Sequence, residues 1–474
     1  MGGQVTISIW FFLLLLAISI LAVLDRILIP SSRWFLRRRI NRVLEEIGTR
    51  LDIEIRPFQL TKRQVLIDRL IYDPQVIEAV ADYAREKEMP LEVAQNKVAT
   101  YAREIVPSFN AYFYFRIGYW IAKRVARMLY QVRVGLFKED QYAAIDPNST
   151  VVFVMNHRSN MDYILVAFLA AERTTLSYAV GEWAKIWPLH MLFRAMGAFF
   201  VRRQSGNALY RRVLERYIHM ATHEGVCQAV FLEGGLSRDG FLREPRLGLM
   251  DYMLRRFDPV RDRDIVFIPV GINYDRTIED RSLLRNLDHQ AKKRSGWFVF
   301  WTTFGFIRRS LTLMVLSRWR RYGYACVNFG EPLSINAYCR EKNVPFAALD
   351  RPDRFKAVEA LCRRLMAGIA HVVPVLPVSV VATVFAEAME EEMDILEIEQ
   401  RADRLIHDLQ DRGAPVFETP RSTRARIIAE AVDILAMRRL VTLVGDKFKA
   451  VAEEEPLLRY YANAIGHWRT GQSQ

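Results

Sequence analysis

Cysteine is scarce in this chain. Its 474 residues hold four, Cys227, Cys326, Cys339 and Cys362. None forms a C-x-x-C pair, which excludes a disulfide scaffold, leaves no zinc-site spacing and points to a reducing compartment. Acidic residues are in deficit, 54 Asp+Glu against 67 Lys+Arg, for a formal charge of +13. There is no internal repeat and no low-complexity linker, so collagen-like architectures are excluded. Repeated apolar spans of about 20 residues are missing too, and a polytopic membrane protein is thereby ruled out. What the chain does have is core material. Hydrophobic residues make up 51% of it and aromatics 12%, enough for two or three packed domains and incompatible with intrinsic disorder. The basic excess calls for a polyanionic partner, which is nucleic acid, anionic lipid or a phosphorylated substrate.

The N-terminus narrows that choice. Val5–Leu24 (VTISIWFFLLLLAISILAVL) is uncharged and long enough to cross a hydrocarbon core of about 30 Å as a helix. No Lys or Arg precedes it and no small-x-small site follows, which favours an uncleaved anchor over a signal peptide. Arg26, Arg33, Arg37, Arg38, Arg39 and Arg42 come next, so the positive-inside rule puts the rest of the chain in the cytoplasm. The expectation is a transmembrane anchor over 1–25 holding the protein on the inner membrane by a single pass.

Residues 26–130 read as a basic juxtamembrane segment and a helical region. Within 62–106 the periodicity predicts two amphipathic helices. Asp73-Pro74 caps the first, with Val76, Ile77, Val80 and Tyr83 on one face, and Pro90 opens the second, with Val98, Tyr101 and Ile105 at helical spacing. Residues 109–130 mix aromatics with Arg116, Lys123, Arg124 and Arg127, which fits either an interfacial helix or a packed one with snorkelling cations. From 131 to 335 short β-branched runs (132–136, 151–155, 176–180, 228–232, 265–270 and 325–329) alternate with helical stretches. That pattern predicts an α/β domain whose sheet is buried on both faces. Residues 336–474 read as mainly helical. The aromatic block within 297–316 is too short to span and is interfacial or core. The apolar stretch 372–386, interrupted by two prolines, is buried structure rather than a second span.

Candidate chemistry gathers just after the strand-like runs, where α/β sheets build their sites. Asn156-His157-Arg158-Ser159-Asn160-Met161-Asp162 follows the run 151–155. On a continuous helix His157 and Asp162 would point about 140° apart. With His157 at a strand end and Asp162 in the next first turn, the carboxylate can fold back on the imidazole and hold it as a general base for an alcohol. Gly197-Ala198-Phe199-Phe200-Val201-Arg202-Arg203 sets two guanidinium groups after an apolar run. Phe231-Leu232-Glu233-Gly234-Gly235-Leu236-Ser237-Arg238-Asp239-Gly240 joins glycines that let a ligand approach to an arginine suited to phosphate. Ile268-Pro269-Val270 ends a further run.

In this order the four segments resemble the motif blocks of the glycerolipid acyltransferase superfamily, and most closely those of bacterial membrane-bound glycerol-3-phosphate 1-O-acyltransferases. The blocks are HRSNMD, GAFFVRR, FLEGGLSRDG and IPV. Flanking stretches such as GNALYRRVLERYI, VNFGEPLSI and LLRYYANAIGHW extend the likeness over most of 62–468. The resemblance implies an α/β fold with a mixed central sheet flanked by helices. It also implies acyl transfer from acyl-CoA or acyl-carrier protein to the sn-1 hydroxyl of glycerol 3-phosphate. His157 is then the base, Asp162 its orienter and Glu233 a residue of the catalytic pocket. Phe200, Arg202, Arg203, Gly234, Ser237, Arg238 and Pro269 are then on the substrate side, with membrane lipids as further partners and no cofactor. One position departs, for Leu236 stands where the third block usually carries Arg. Either Arg202, Arg203, Arg238 or Arg243 supplies that charge, or the acceptor is different, lysophosphatidate or another lysophospholipid.

Rival readings are weaker. Gly235-Leu236-Ser237-Arg238-Asp239 misses the G-x-S-x-G elbow of a serine hydrolase at its last position, which makes Ser237 a loop hydrogen-bonder. His219 and His223 have i,i+4 spacing but no third ligand nearby, so no metal site is expected. Nucleic-acid binding has only the net charge behind it. A non-catalytic membrane-surface protein of the same fold remains as the alternative class, and the presence of both His157 and Asp162 counts against it.

Overall fold

Asp73 and Pro74 open a helix for a simple reason. The aspartate carboxylate accepts the N–H groups of Gln75 and Val76 at 3.0 and 3.3 Å, and proline has no N–H to leave unpaired in the first turn. The computed structural model describes residues 56–469 apart from 112, 137, 171–175, 182–188, 203–204, 286–321 and 419–422. It has α1 over Arg63–Ile71, α2 over Pro74–Glu86 and α3 over Leu91–Ile105. The first is additional to the two helices expected from periodicity. Val76, Val80 and Ala84 of α2 are buried, as are Ala94, Val98, Tyr101, Ala102 and Ile105 of α3. Ile77, expected on the buried face, is 47% exposed, because one residue turns the helix by about 100° and carries it off the stripe.

The β-branched runs form strands. They are β1 (Gln131–Val134), β2 (Thr150–Met155), β3 (Ser177–Val180), β4 (Phe199–Phe200), β5 (Gln228–Phe231), β6 (Ile265–Tyr274), β7 (Tyr324–Phe329) and β8 (Leu333–Ser334). Among the described residues these eight make one mixed sheet in the order β1-β7-β6-β2-β5-β3-β4, with β8 beside β6. From β6 through β4 neighbouring strands are parallel, whereas β7 and β8 run antiparallel to β6. Pleating sends Val152 and Val154 of β2 into one apolar cluster and Val151, Phe153 and Met155 toward another, so both faces are covered. On the second face lie α4 (Tyr119–Leu129) and α5 (Met161–Ala170). On the first lie α6 (Ala208–His223), α7 (Gly248–Leu254) and α8 (Arg351–Val372), and α1–α3 pack outside α6. In the 109–130 segment α4 buries Ala122, Ala126 and Leu129 and leaves Trp120 61% exposed, which is a packed helix.

Beyond the sheet, α9 (Pro377–Glu387) is surrounded by α10 (Ile395–Asp411), α11 (Arg424–Met437) and α12 (Glu455–Ala462). Its first nine residues are all buried, which explains why 372–386 is so apolar. The C-terminal region is not wholly helical. β9 (Val441–Val444) and β10 (Lys447–Ala450) form an antiparallel hairpin around Gly445, whose φ of 60° meets the positive-φ demand of a two-residue turn.

The expected membrane anchor requires correction. Its segment, 5–24, and the arginines behind it lie outside the described residues, as does the aromatic block at 297–316. Among the described residues no helix is long and apolar enough to cross a membrane. The most evenly buried helix, α9, has 11 residues, about 16 Å, and its apolar surface is taken up by the protein's own core. The transmembrane helix, and the single-pass inner-membrane localisation that rested on it, are therefore withdrawn.

Asp73 has a second task, since its other oxygen pairs with Arg216 of α6 at 2.9 Å. Asp73→Ala removes both cap and ion pair and should destabilise the fold by about 3 kcal/mol, while Asp73→Asn keeps the cap and should lose less. Unfolding midpoints of the two variants, if equal, would disprove the double role.

Candidate active site

Three neighbouring parallel strands, β5, β2 and β6, deliver residues to one end of the sheet. Met155 pairs with Phe231 on one side and Val270 on the other, so His157 and Glu233, each two residues further on, leave the sheet level with one another. Asn156 holds the chain at its exit. Its side chain donates to Ile272 O at 2.9 Å and accepts from Ile272 N at 2.8 Å, extending the ladder by one rung.

Asp162 lies in the first turn of α5 and its carboxylate reaches back to the strand end. His157 Nδ1 is 2.9 Å from Asp162 Oδ2, and both side chains are buried. The same oxygen accepts the N–H groups of Arg158 at 2.7 Å and Ser159 at 3.1 Å. Oδ1 accepts the Tyr274 hydroxyl at 2.7 Å. Burial, then the nearby Asp162 charge, holds that phenol well above its ordinary value, so Tyr274 remains a donor. Four donors thus converge on one carboxylate, a charge-assisted arrangement that fixes its orientation. With its Nδ1–H directed at Asp162, the imidazole carries its free lone pair on Nε2. That atom is buried and has no hydrogen-bond partner among the described residues. The ring stacks on Phe231 at 4.0 Å between centroids and meets the edge of Tyr163 at 5.4 Å.

The backbone of His157 is held on both sides. Its N–H donates to Glu233 Oε1 at 3.1 Å, and its carbonyl accepts from Ser237 N at 2.9 Å. Glu233 Oε2 is buried and has no partner among the described residues. Burial pushes the carboxyl up to about 7, against the opposing pull of Arg158, the His157 N–H and Arg243. The Ser237 hydroxyl donates to Phe241 O at 2.7 Å and accepts from Gly240 N at 3.1 Å, closing the loop. Ser159 Oγ donates to Glu279 Oε2 at 2.7 Å, and Glu279 Oε1 accepts Asn160 N at 3.2 Å. Burial raises Glu279 although the Ser159 bond opposes it. Arg158, 2% exposed, donates to the carbonyls of Gly240 and Ala464.

His157, Asp162, Glu233, Gly234 and Ser237 therefore come together. Gly234 is exposed on a turn with φ of 65°, and a Cβ there would come within 2.6 Å of Arg246 Cγ. Arg238 is exposed on the same loop. Phe200 is buried in β4 beneath the Arg194 guanidinium, 5.3 Å from its ring centroid. Arg202 is bound by both Glu104 oxygens at 2.9 and 2.5 Å and sits over Tyr101 and Tyr210. The Glu104 hydrogen bonds raise its pKa further. Arg203 lies outside the described residues. Pro269 is inside the sheet opposite Val154, packed near Gly330 and Gly368. Leu236 packs against the cluster made by the C-terminal helices. Tyr274 and Glu279 escaped the sequence reading. The apolar run ending at Val270 continues to Tyr274, and that length was the available signal. Among the described residues no group of three or more His, Cys, Asp or Glu is placed to hold a metal ion.

Comparison with known proteins gives two family matches. Residues 137–273 match the Acyltransferase family model, and residues 310–473 match that of the glycerol-3-phosphate acyltransferase C-terminal region. A glycerol-3-phosphate acyltransferase of Xanthomonas campestris pv. campestris is 28% identical over 452 residues, covering 92% of this chain and 49% of the relative. One of Actinobacillus succinogenes is 26% identical over 427 residues, covering 86% and 50%. The chain thus spans about half the length of the curated relatives it matches. The crystal structure of a 1-acyl-sn-glycerophosphate (LPA) acyltransferase from Thermotoga maritima overlaps 64% of this chain and 96% of its own at 15% identity and a TM-score of 0.30, too loose a likeness to bear on fold or function.

Glu233 gives the site a pH signature in stability. Its folded value lies above the ordinary 4.5, so the stabilisation is fully present below that pH and is lost as pH rises through about 7. Glu233→Gln keeps the oxygen that accepts His157 N–H and cannot titrate. Between pH 4.5 and 8 wild type should lose on the order of 3 kcal/mol relative to the variant. Urea unfolding at both pH values checks this, and parallel losses would refute it.

Proposed function

Because the chain belongs to the glycerolipid acyltransferase superfamily, we propose that it moves a fatty acyl group from acyl-CoA or acyl-carrier protein to the sn-1 hydroxyl of glycerol 3-phosphate, giving lysophosphatidate. The observation that carries the reading is the His157–Asp162 pair, with Nδ1 engaged and Nε2 buried and unpartnered among the described residues. A buried acceptor without a donor costs about 1–3 kcal/mol, and an alcohol O–H arriving at Nε2 relieves that cost.

In the proposed reaction the acceptor hydroxyl gives its proton to His157 Nε2 as its oxygen attacks the thioester carbonyl. The imidazolium that forms is stabilised by the Asp162 carboxylate at Nδ1. Collapse of the tetrahedral intermediate breaks the C–S bond, and the thiolate recovers the proton from Nε2. The thioester is already activated, so His157 need only manage one proton. Tyr274 acts through Asp162, and Glu279 through Ser159 and Asn160, as positioning residues. On this reading residues 131–335 are the acyltransferase domain, with helical regions on either side.

Labelled glycerol 3-phosphate and an acyl donor supply the test. His157→Ala and Asp162→Asn should each lower kcat by about 10² to 10⁴. Tyr274→Phe, which keeps the ring and loses the Asp162 hydrogen bond, should lower kcat about tenfold with KM little changed. Wild-type chain that makes no more lysophosphatidate than His157→Ala would sink the proposal. Acylation of lysophosphatidate in preference to glycerol 3-phosphate would replace the acceptor and leave the chemistry.

A further inference from the structure

The proposed reaction brings a phosphate dianion to within a three-carbon skeleton of His157 Nε2, and something must neutralise it. Two guanidinium groups of the motif segments are already engaged. Arg158 is buried and directed at the carbonyls of Gly240 and Ala464, and Arg202 is matched in charge and geometry by Glu104.

The segment 243–246 differs. Arg246 N donates to Leu232 O at 2.8 Å, and the Arg246 stem lies over Gly234, where no Cβ intervenes. This lays the segment along the turn 232–236. Arg243 is half-buried, and its Nη1 donates to Leu236 O at 3.3 Å. Neither Arg243 nor Arg246 has a carboxylate within ion-pair distance among the described residues, and the positive charge of Arg243 is felt at the Glu233 carboxyl. The next residue in the turn, Ser237, holds His157 O. The Arg243 guanidinium is therefore fastened to the turn that positions the base, and Arg246 is anchored to the same turn by its backbone and stem. The Leu236 side chain is turned into the C-terminal apolar cluster, leaving its carbonyl to orient Arg243.

We infer that Arg243, one of the four arginines (Arg202, Arg203, Arg238 and Arg243) that could replace the missing third-block charge, binds the phosphate monoester of the acceptor, with Arg246 beside it. The inference rests on the proposed function for the identity of the acceptor. A planar guanidinium suits two phosphate oxygens at once, which an ammonium cannot match.

Calorimetric titration of the full chain with inorganic phosphate and with glycerol 3-phosphate tests the site without catalysis. Arg243→Gln should weaken both by tenfold or more, Arg246→Gln by less, and Arg243→Lys should retain part of the affinity. Arg404→Gln, which removes an exposed cation on α10, should match wild type. In the transfer assay Arg243→Gln should raise KM for glycerol 3-phosphate by the same factor and leave kcat within about threefold, with an unchanged unfolding midpoint. Wild type that binds neither anion, or Arg243→Gln that binds them as well as wild type does, would overturn the assignment. Anion binding that depends on Arg243 in a chain that forms no ester would uphold this site while refuting the acyltransferase reading. Ester formation with an unaltered KM in Arg243→Gln would do the reverse.

Discussion

The Asp162 carboxylate gathers four donors from two separate pieces of chain and is itself carried by a third. His157, Arg158 and Ser159 come from the loop after β2, Tyr274 from the end of β6, and Asp162 itself from α5. A negative charge so deeply buried is tolerable only when such donors surround it. Conversely, the loop could not hold its shape without the charge, because three of the four donors are its own groups. The geometry of His157, the entry of α5 and the alignment of β2 with β6 are thus a single arrangement with one anion at its centre.

A second buried polar group ties the same region to the C-terminal helices. Arg438 and Tyr461 both reach Asp280, and the Tyr461 hydroxyl also accepts Thr277 N at 3.2 Å. Asp280 follows Glu279, which steadies Ser159 and Asn160. Buried ionic groups of this kind add little net stability beside an apolar substitute. Their effect is to admit one relative placement of the segment 274–285 and the helices that follow, which the apolar contacts alone would leave less sharply defined.

Much of this was readable in the amino-acid order. The strand-like runs match β1, β2, β3, β5, β6 and β7 because a sheet buried on both faces demands short β-branched stretches whatever its topology. The cap at Asp73 is equally local. Less was readable where distant pieces meet. Nothing near Arg202 in the sequence reveals Glu104, 98 residues earlier, and nothing near Asp162 reveals Tyr274. Gly445-Asp446 is a hairpin signal, but it lay in a stretch dominated by helical periodicity. The apolar run at 5–24 had the length and composition of a span, yet those two properties concern a segment whose placement the described fold does not include.

The bond from Arg158 to Ala464 joins residues 306 positions apart, linking the loop after the second strand to one of the last helical turns. Proteins are synthesised from the N-terminus, so Arg158 exists in the nascent chain long before the carbonyl it requires. Until Ala464 is made and docked, the guanidinium beside His157 in the sequence lacks part of its shell. The local strand-to-helix turn needs only neighbouring residues, but its final setting waits on the docking of Ala464. A ribosome-bound or C-terminally clipped chain therefore carries His157, Asp162 and Glu233 without the completed arrangement around them.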